Sequence, residues 1–177
     1  MKFNTASNVI MMCVLITIRI IPHPWNLTPL MTFAFLSRRF YPRATSVIMT
    51  TLCLFISDTV LAYTQHHATL GSWSFFTYTY IAFIAFTCQI DESQISRSIL
   101  MIALSSIGFW VWTNFGCWLS MPEYSKDIKG LTDCYIMALP FLKNQFFGDF
   151  LWTCLTLGTL NWFRKNQLNF FYKDTPS

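Results

Sequence analysis

Arg19, Asp58 and Asp149 each stand inside an apolar run, "VLITIRIIP", "LFISDTVLAY" and "NQFFGDFLW". An ionisable side chain at the centre of a membrane helix costs about 2.5–3.5 kcal/mol on insertion scales, so each asks for a partner or a water-filled cavity. Arg19 falls near the end of its run. Asp58 falls five residues before the end of its own, about 7–8 Å along the helix axis. The two depths match, which predicts a salt bridge between them. Such a pair either locks two helices together or also reaches into a ligand pocket. Three amides, Asn26, Asn114 and Asn144, fall near the same ends of their segments, and Trp112 and Trp118 stand beside Asn114 in "VWTNFGCWL". Together these residues offer ion pairing, amide hydrogen bonding and ring stacking, the means of binding a small molecule with a polar edge and a flat face.

Covalent and metal chemistry find less to work with. The sequence holds no His/Glu/His zinc spacing, no GxSxG, no phosphate-cradling glycine loop and no Walker motif, so neither an enzyme nor an ATPase is expected, and no metal or cofactor. His66 and His67 in "YTQHHATLGS", with His23, read as loop histidines before they read as a proton sensor. The six cysteines fall mostly within apolar runs and lack CxxC spacing, so they read as small buried hydrophobes; Cys117 and Cys134 approach one membrane face and are the one candidate pair.

The elements that position these residues follow from composition. Of 177 residues, 54% are hydrophobic and 11% charged, against about 25% charged in an average soluble domain. A membrane protein is implied. No Gly/Ser-rich, acidic or repetitive linker divides residues 1–177, so one domain is expected. Six candidate segments run over about 5–21, 27–41, 44–63, 72–87, 98–119 and 144–163, the second short for a full crossing. A short outer helix, surface-lying or re-entrant, is expected over 130–140, stopped at Pro140. Strand-length alternation is absent, which leaves an all-α six-helix transmembrane bundle rather than a barrel.

Loop charges orient the bundle. With the N-terminus inside, the inner segments carry Lys2, Arg38, Arg39, Arg43, Arg97, Arg164, Lys165 and Lys173, whereas the outer ones carry Lys126, Lys129 and Lys143. Both termini then face the cytoplasm, and "RRFYPR" is the strongest single vote. The apolar N-terminal run leads into "RIIPHP" where a signal peptide would carry a small-residue cleavage site, so it reads as retained. The net charge of +4 forms no basic stripe, and no nucleic-acid partner is expected. In "PHPWNLTP", Pro22 and Pro24 end the first helix, Asn26 is placed to cap the second, and Pro29 fits its first turn. A simple reversal loop is the other reading. The polar residues of the spans thus gather at the outer halves.

The order of motifs, Arg19 with "PWNLTP", Ser57–Asp58, "TNFGCWL", then "GLTDCYIMALPF" leading to Asn144, Gly148 and Asp149, resembles a family of small uncharacterised bacterial inner-membrane proteins assigned to transport. That family is similar in architecture to the substrate-binding S components of energy-coupling-factor vitamin transporters. The resemblance implies an outward-facing cavity for a vitamin-like or nucleobase-like molecule. It also implies uptake driven by an ATPase module in trans or by the protein alone. Carried over by position, its ligand residues are Arg19, Asn26, Asp58, Asn114, Asn144 and Asp149, with Gly116 and Gly148 permitting close packing. One departure is visible: S components often carry small residues spaced four apart on the first helix, where "NVIMMCVLITI" offers bulky ones. The alternative of another class is a structural or assembly subunit of a larger membrane complex.

Overall fold

The structure is a computed structural model and describes residues 5–21, 27–65, 71–88 and 95–165. Among the described residues the chain is all-helical. Its elements are α1 (Thr5–Ile20), α2 (Leu30–Phe40), α3 (Arg43–Gln65), α4 (Ser74–Thr87), α5 (Ile95–Ser120), α6 (Ile128–Met137) and α7 (Leu139–Lys165).

The short helix is the centre of the molecule. Every residue from Leu30 to Ser37 is buried, and α2 packs against α3, α4 and α7. Leu30, Met31, Ala34, Phe35 and Leu36 form the core with Leu54 of α3, Ile81, Ile84 and Ala85 of α4, and Ile102 of α5. A stretch as apolar as Leu30–Leu36, with Thr32 its one polar residue, belongs in an interior, and the eleven residues of α2 rise only about 16 Å, half of a hydrocarbon core about 30 Å thick.

Prolines set its bounds. Pro29 occupies the N-cap with no side-chain cap, and its carbonyl takes the Phe33 N–H at 2.8 Å. This corrects the expected start at 27 and the role of Asn26 as cap; Asn26 itself lies outside the described residues. At the other end Tyr41 is extended, as the residue before a proline must be, and α3 starts two residues later. Pro140 also acts otherwise than expected. Instead of stopping the outer helix it sits in the first turn of α7, where a missing N–H costs nothing, so α7 begins at Leu139 and α6 ends at Met137.

Polarity is distributed against the pattern of a water-soluble core. Ser37, Ser46, Thr50, Ser57, Ser105 and Ser106 are buried, while Ile48, Phe55, Phe75, Phe83, Leu104 and Phe147 are exposed. The buried hydroxyls are satisfied locally, Ser37 on Ala34 O, Thr50 on Ser46 O and Ser106 on Ile102 O, and Ser37 and Ser46 join α2 to α3. Two helices are long and apolar enough to cross a membrane, Arg43–Thr64 and Ser96–Ser120, with only 33% and 22% of their apolar windows buried. Asn8–Ile20 and Ser74–Thr87 are shorter apolar helices.

Candidate functional site

Two polar groups lie inside the bundle. The first joins α1, α3 and α4. Arg19 Nη1 donates to Asp58 Oδ1 at 2.5 Å and to Ser57 Oγ at 2.7 Å. Ser57 can accept because its own hydroxyl points back to the Cys53 and Leu54 carbonyls, at 2.8 and 2.9 Å. The second Asp58 oxygen accepts from Tyr78 OH at 3.0 Å. The Arg19 side chain is 19% exposed and that of Asp58 7%. Arg19 Nε is buried with no hydrogen-bond partner among the described residues. Arg19 lines a small crevice with Leu15, Pro29, Leu30, Cys53 and Ser57.

The second group surrounds Asp149, which is 1% exposed. Its Oδ2 accepts from Ser106 Oγ of α5 at 2.6 Å and from Gln145 Nε2 of its own helix at 2.8 Å; its Oδ1 is buried and has no partner among the described residues. Thr32 of α2 reaches the Asp149 carbonyl at 3.3 Å and Thr153 Oγ1 at 3.2 Å, tying the central helix to this turn of α7.

The other expected residues go elsewhere. Asn114 donates to Trp110 O of its own helix at 2.7 Å. Trp112 Nε1 bonds Thr79 Oγ1 at 3.1 Å across the α4–α5 seam, and Trp118 Nε1 bonds Ser125 O at 2.8 Å. Lys126, over the Trp118 ring, donates to Trp118 O and Met121 O and so closes the C-terminal end of α5 with a cation, the charge that end favours. Asn144 is half-buried; five residues from Asp149, it points about 140° away around α7. Cys117 and Cys134 are free thiols, and Cys134 Sγ donates to Asn114 O at 3.4 Å. His23, His66 and His67 lie outside the described residues. Of the seven expected ligand residues that are described, Arg19 and Asp58 are the two joined by a hydrogen bond or ion pair.

Sequence reading missed Tyr78, Ser106, Gln145, Thr32 and Thr153. Gln145 had a signal, since a Gln four residues before an Asp faces it on one side of a helix. The hydroxyls had none, because Ser and Thr occur throughout the spans.

Gly116 does what the motif implies. A Cβ there would stand 2.3 Å from the Phe76 ring, so its absence lets α4 and α5 approach.

A family model described as a family of unknown function (DUF6580) matches residues 1–171, and the chain belongs to that family. No curated protein and no solved structure matches it.

Proposed function

We propose that the chain is a multi-pass protein of the bacterial inner membrane, both termini cytoplasmic, that binds a small vitamin-like or nucleobase-like molecule from the periplasmic side for uptake. The exposed apolar and buried hydroxyl residues support the membrane part, since a bilayer solvates the former and bundle interfaces favour the latter. The loop charges support the orientation. A bundle of the S-component type, with α2 as its short inner helix, suits both.

The observation that carries the binding reading is Arg19 Nε. A guanidinium presents donors in a planar fork suited to carboxylates and other planar acceptors. Nη1 meets Asp58 and Ser57, and among the described residues Nε is unpartnered on a residue that lines the crevice. A ligand with a planar anionic or carbonyl edge satisfies that donor once the crevice widens. The test is mass spectrometry of small molecules retained by the gently purified protein, then a thermal-shift screen of vitamins and nucleobases on wild type and Arg19→Lys. Lysine keeps the charge for Asp58 and removes the fork. A ligand that raises the melting temperature of wild type only is the expected result.

A second reading, a subunit of a larger membrane complex, draws on the Trp110, Trp112 and Trp118 N–H groups and the Asn114 amide, all taken up within the chain. It expects a co-purifying protein and no saturable small molecule.

A further inference from the structure

Ser106 Oγ stands within hydrogen-bond distance of two acceptors, Asp149 Oδ2 at 2.6 Å and Ile102 O at 3.0 Å. A hydroxyl carries one proton and can donate to one of them at a time. With Asp149 ionised, Ser106 donates to Oδ2 beside Gln145, and two donors support the anion. With a proton on Oδ2, the carboxyl donates to Ser106 Oγ and the serine hydroxyl turns to Ile102 O. Both states use the same heavy-atom positions.

The unpartnered Oδ1 decides how they balance. A bare carboxylate oxygen in a site 1% exposed is costly, whereas the carbonyl oxygen of a neutral acid left bare costs far less. The donors on Oδ2 favour the anion, and the bare Oδ1 favours the acid. No cationic nitrogen pairs with the carboxyl among the described residues. Among the described residues the packed helices bring no ionisable neighbour close along their axes. On α2, Arg38 and Arg39 are six and seven residues beyond Thr32, about 9 and 10 Å; on α5, Arg97 is nine residues before Ser106, about 14 Å, and Cys117 eleven after it. On α6, Lys129 and Asp133 are exposed, and Cys134 and Tyr135 bond Asn114 O and Val111 O. On α7 itself, Lys143 and Cys154 are six and five residues away, and Cys154 is exposed.

From this geometry we infer that Asp149 is a proton-binding site within the bundle, taking up one proton on Oδ2 and releasing it to water, with Ser106 as the hydroxyl that serves both states. The site is neutral when loaded and carries one negative charge when empty. That the proton drives uptake rests on the transport reading above; its binding does not.

The test is infrared difference spectroscopy of the full chain in phosphatidylcholine liposomes, titrated between about pH 5 and pH 9, the range in which buried carboxyls have been found to titrate. A protonated-carboxyl band that converts to carboxylate with rising pH in wild type and is missing from Asp149→Asn is expected. Ser106→Ala removes a partner from both states, and because a hydrogen bond to the anion is about twice as strong as one to the neutral acid, its midpoint moves up by about one pH unit. If Asp149→Asn does not fold, the Ser106→Ala shift carries the test. A wild-type band that is absent or indifferent to pH, a Ser106→Ala midpoint equal to wild type, or conversion caused by sodium at fixed pH overturns the inference. A ligand screen without hits sinks the transport reading and leaves this titration standing; a flat titration does the reverse.

Discussion

Arg19 Nη1 lies 2.5 Å from Asp58 Oδ1 and ties the end of α1 to α3 through two side chains that are both largely withdrawn from water. Losing one member of such a pair leaves the other charge uncompensated, at about 3–5 kcal/mol for fully buried pairs and less where one partner is 19% exposed. Arg19→Met and Asp58→Leu are each expected to lower the melting temperature in mild detergent. The double variant is expected to melt above both. Single variants as stable as wild type would remove the pair from the forces holding α1 to the bundle.

Tyr78 supplies the other Asp58 oxygen with a donor at 3.0 Å. A hydrogen bond to a charged group contributes about 1.5–3 kcal/mol, so Tyr78→Phe is expected to destabilise by that order. In the Asp58→Leu background the same change is expected to cost almost nothing, because its acceptor is gone. A double-mutant cycle of thermal or denaturant melts measures the coupling, and additive effects refute the network.

That pair was legible in the sequence because depth could be counted from the ends of two apolar runs. Asp149 was legible as an unusual residue, but its surroundings were not. Its partners are a glutamine on the same helix and hydroxyls from α5 and α2, and only the first follows from spacing. Asn114 and Asn144 are held apart from the two polar groups for a physical reason. Asn114 has a closer acceptor in its own helix at Trp110 O, and Asn144 faces another side of α7 than Asp149. The central position of α2 was hidden because its length, read as an incomplete crossing, says nothing about which helices surround it.

Gly116 separates α4 from α5 by the width of a hydrogen. An added Cβ would lie 2.3 Å from the Phe76 ring and 2.8 Å from its Cβ, inside any permitted contact. Gly116→Ala is expected to destabilise by about 1–3 kcal/mol, the range of overpacked cores. Phe76→Leu in the same chain is expected to recover part of the loss by withdrawing the ring. If the alanine variant alone melts with wild type, the two helices have slack at this crossing.

Asp127 caps α6 from the exposed loop, accepting from Gly130 N and Ser125 Oγ at 2.7 Å each. These two donors, the backbone one first, hold its carboxyl below the ordinary value of 3.8. A carboxyl depressed in the folded state contributes stability above its unfolded value, and that contribution is lost as pH falls through the folded one. Protection of the Gly130 amide, its exchange relative to the intrinsic rate at each pH, is therefore expected to fall only below about pH 4 in wild type, and to be low at every pH in Asp127→Ala. Asp127→Asn keeps an acceptor without the charge, so its exchange should not show this acid step. An acid step retained in Asp127→Asn assigns it to another group.

The two turns at opposite ends of the bundle test the orientation. Pro42, in the "RRFYPR" turn between α2 and α3, and Glu123, between α5 and α6, are both exposed, and the proposed topology puts them on opposite sides of the membrane. Positive charge is retained on the cytoplasmic side, so the proposed topology expects Pro42 inside. A membrane-impermeant maleimide added to intact cells, with the outer envelope permeabilised, is expected to label Glu123→Cys and spare Pro42→Cys; inverted vesicles reverse the result. Thiols that the proposed topology turns toward lipid, such as Cys13 and Cys154, are expected to stay unlabelled because a charged reagent does not enter the bilayer. Labelling of both engineered positions from one side rules out the six-span topology, since that topology separates them by α3, α4 and α5.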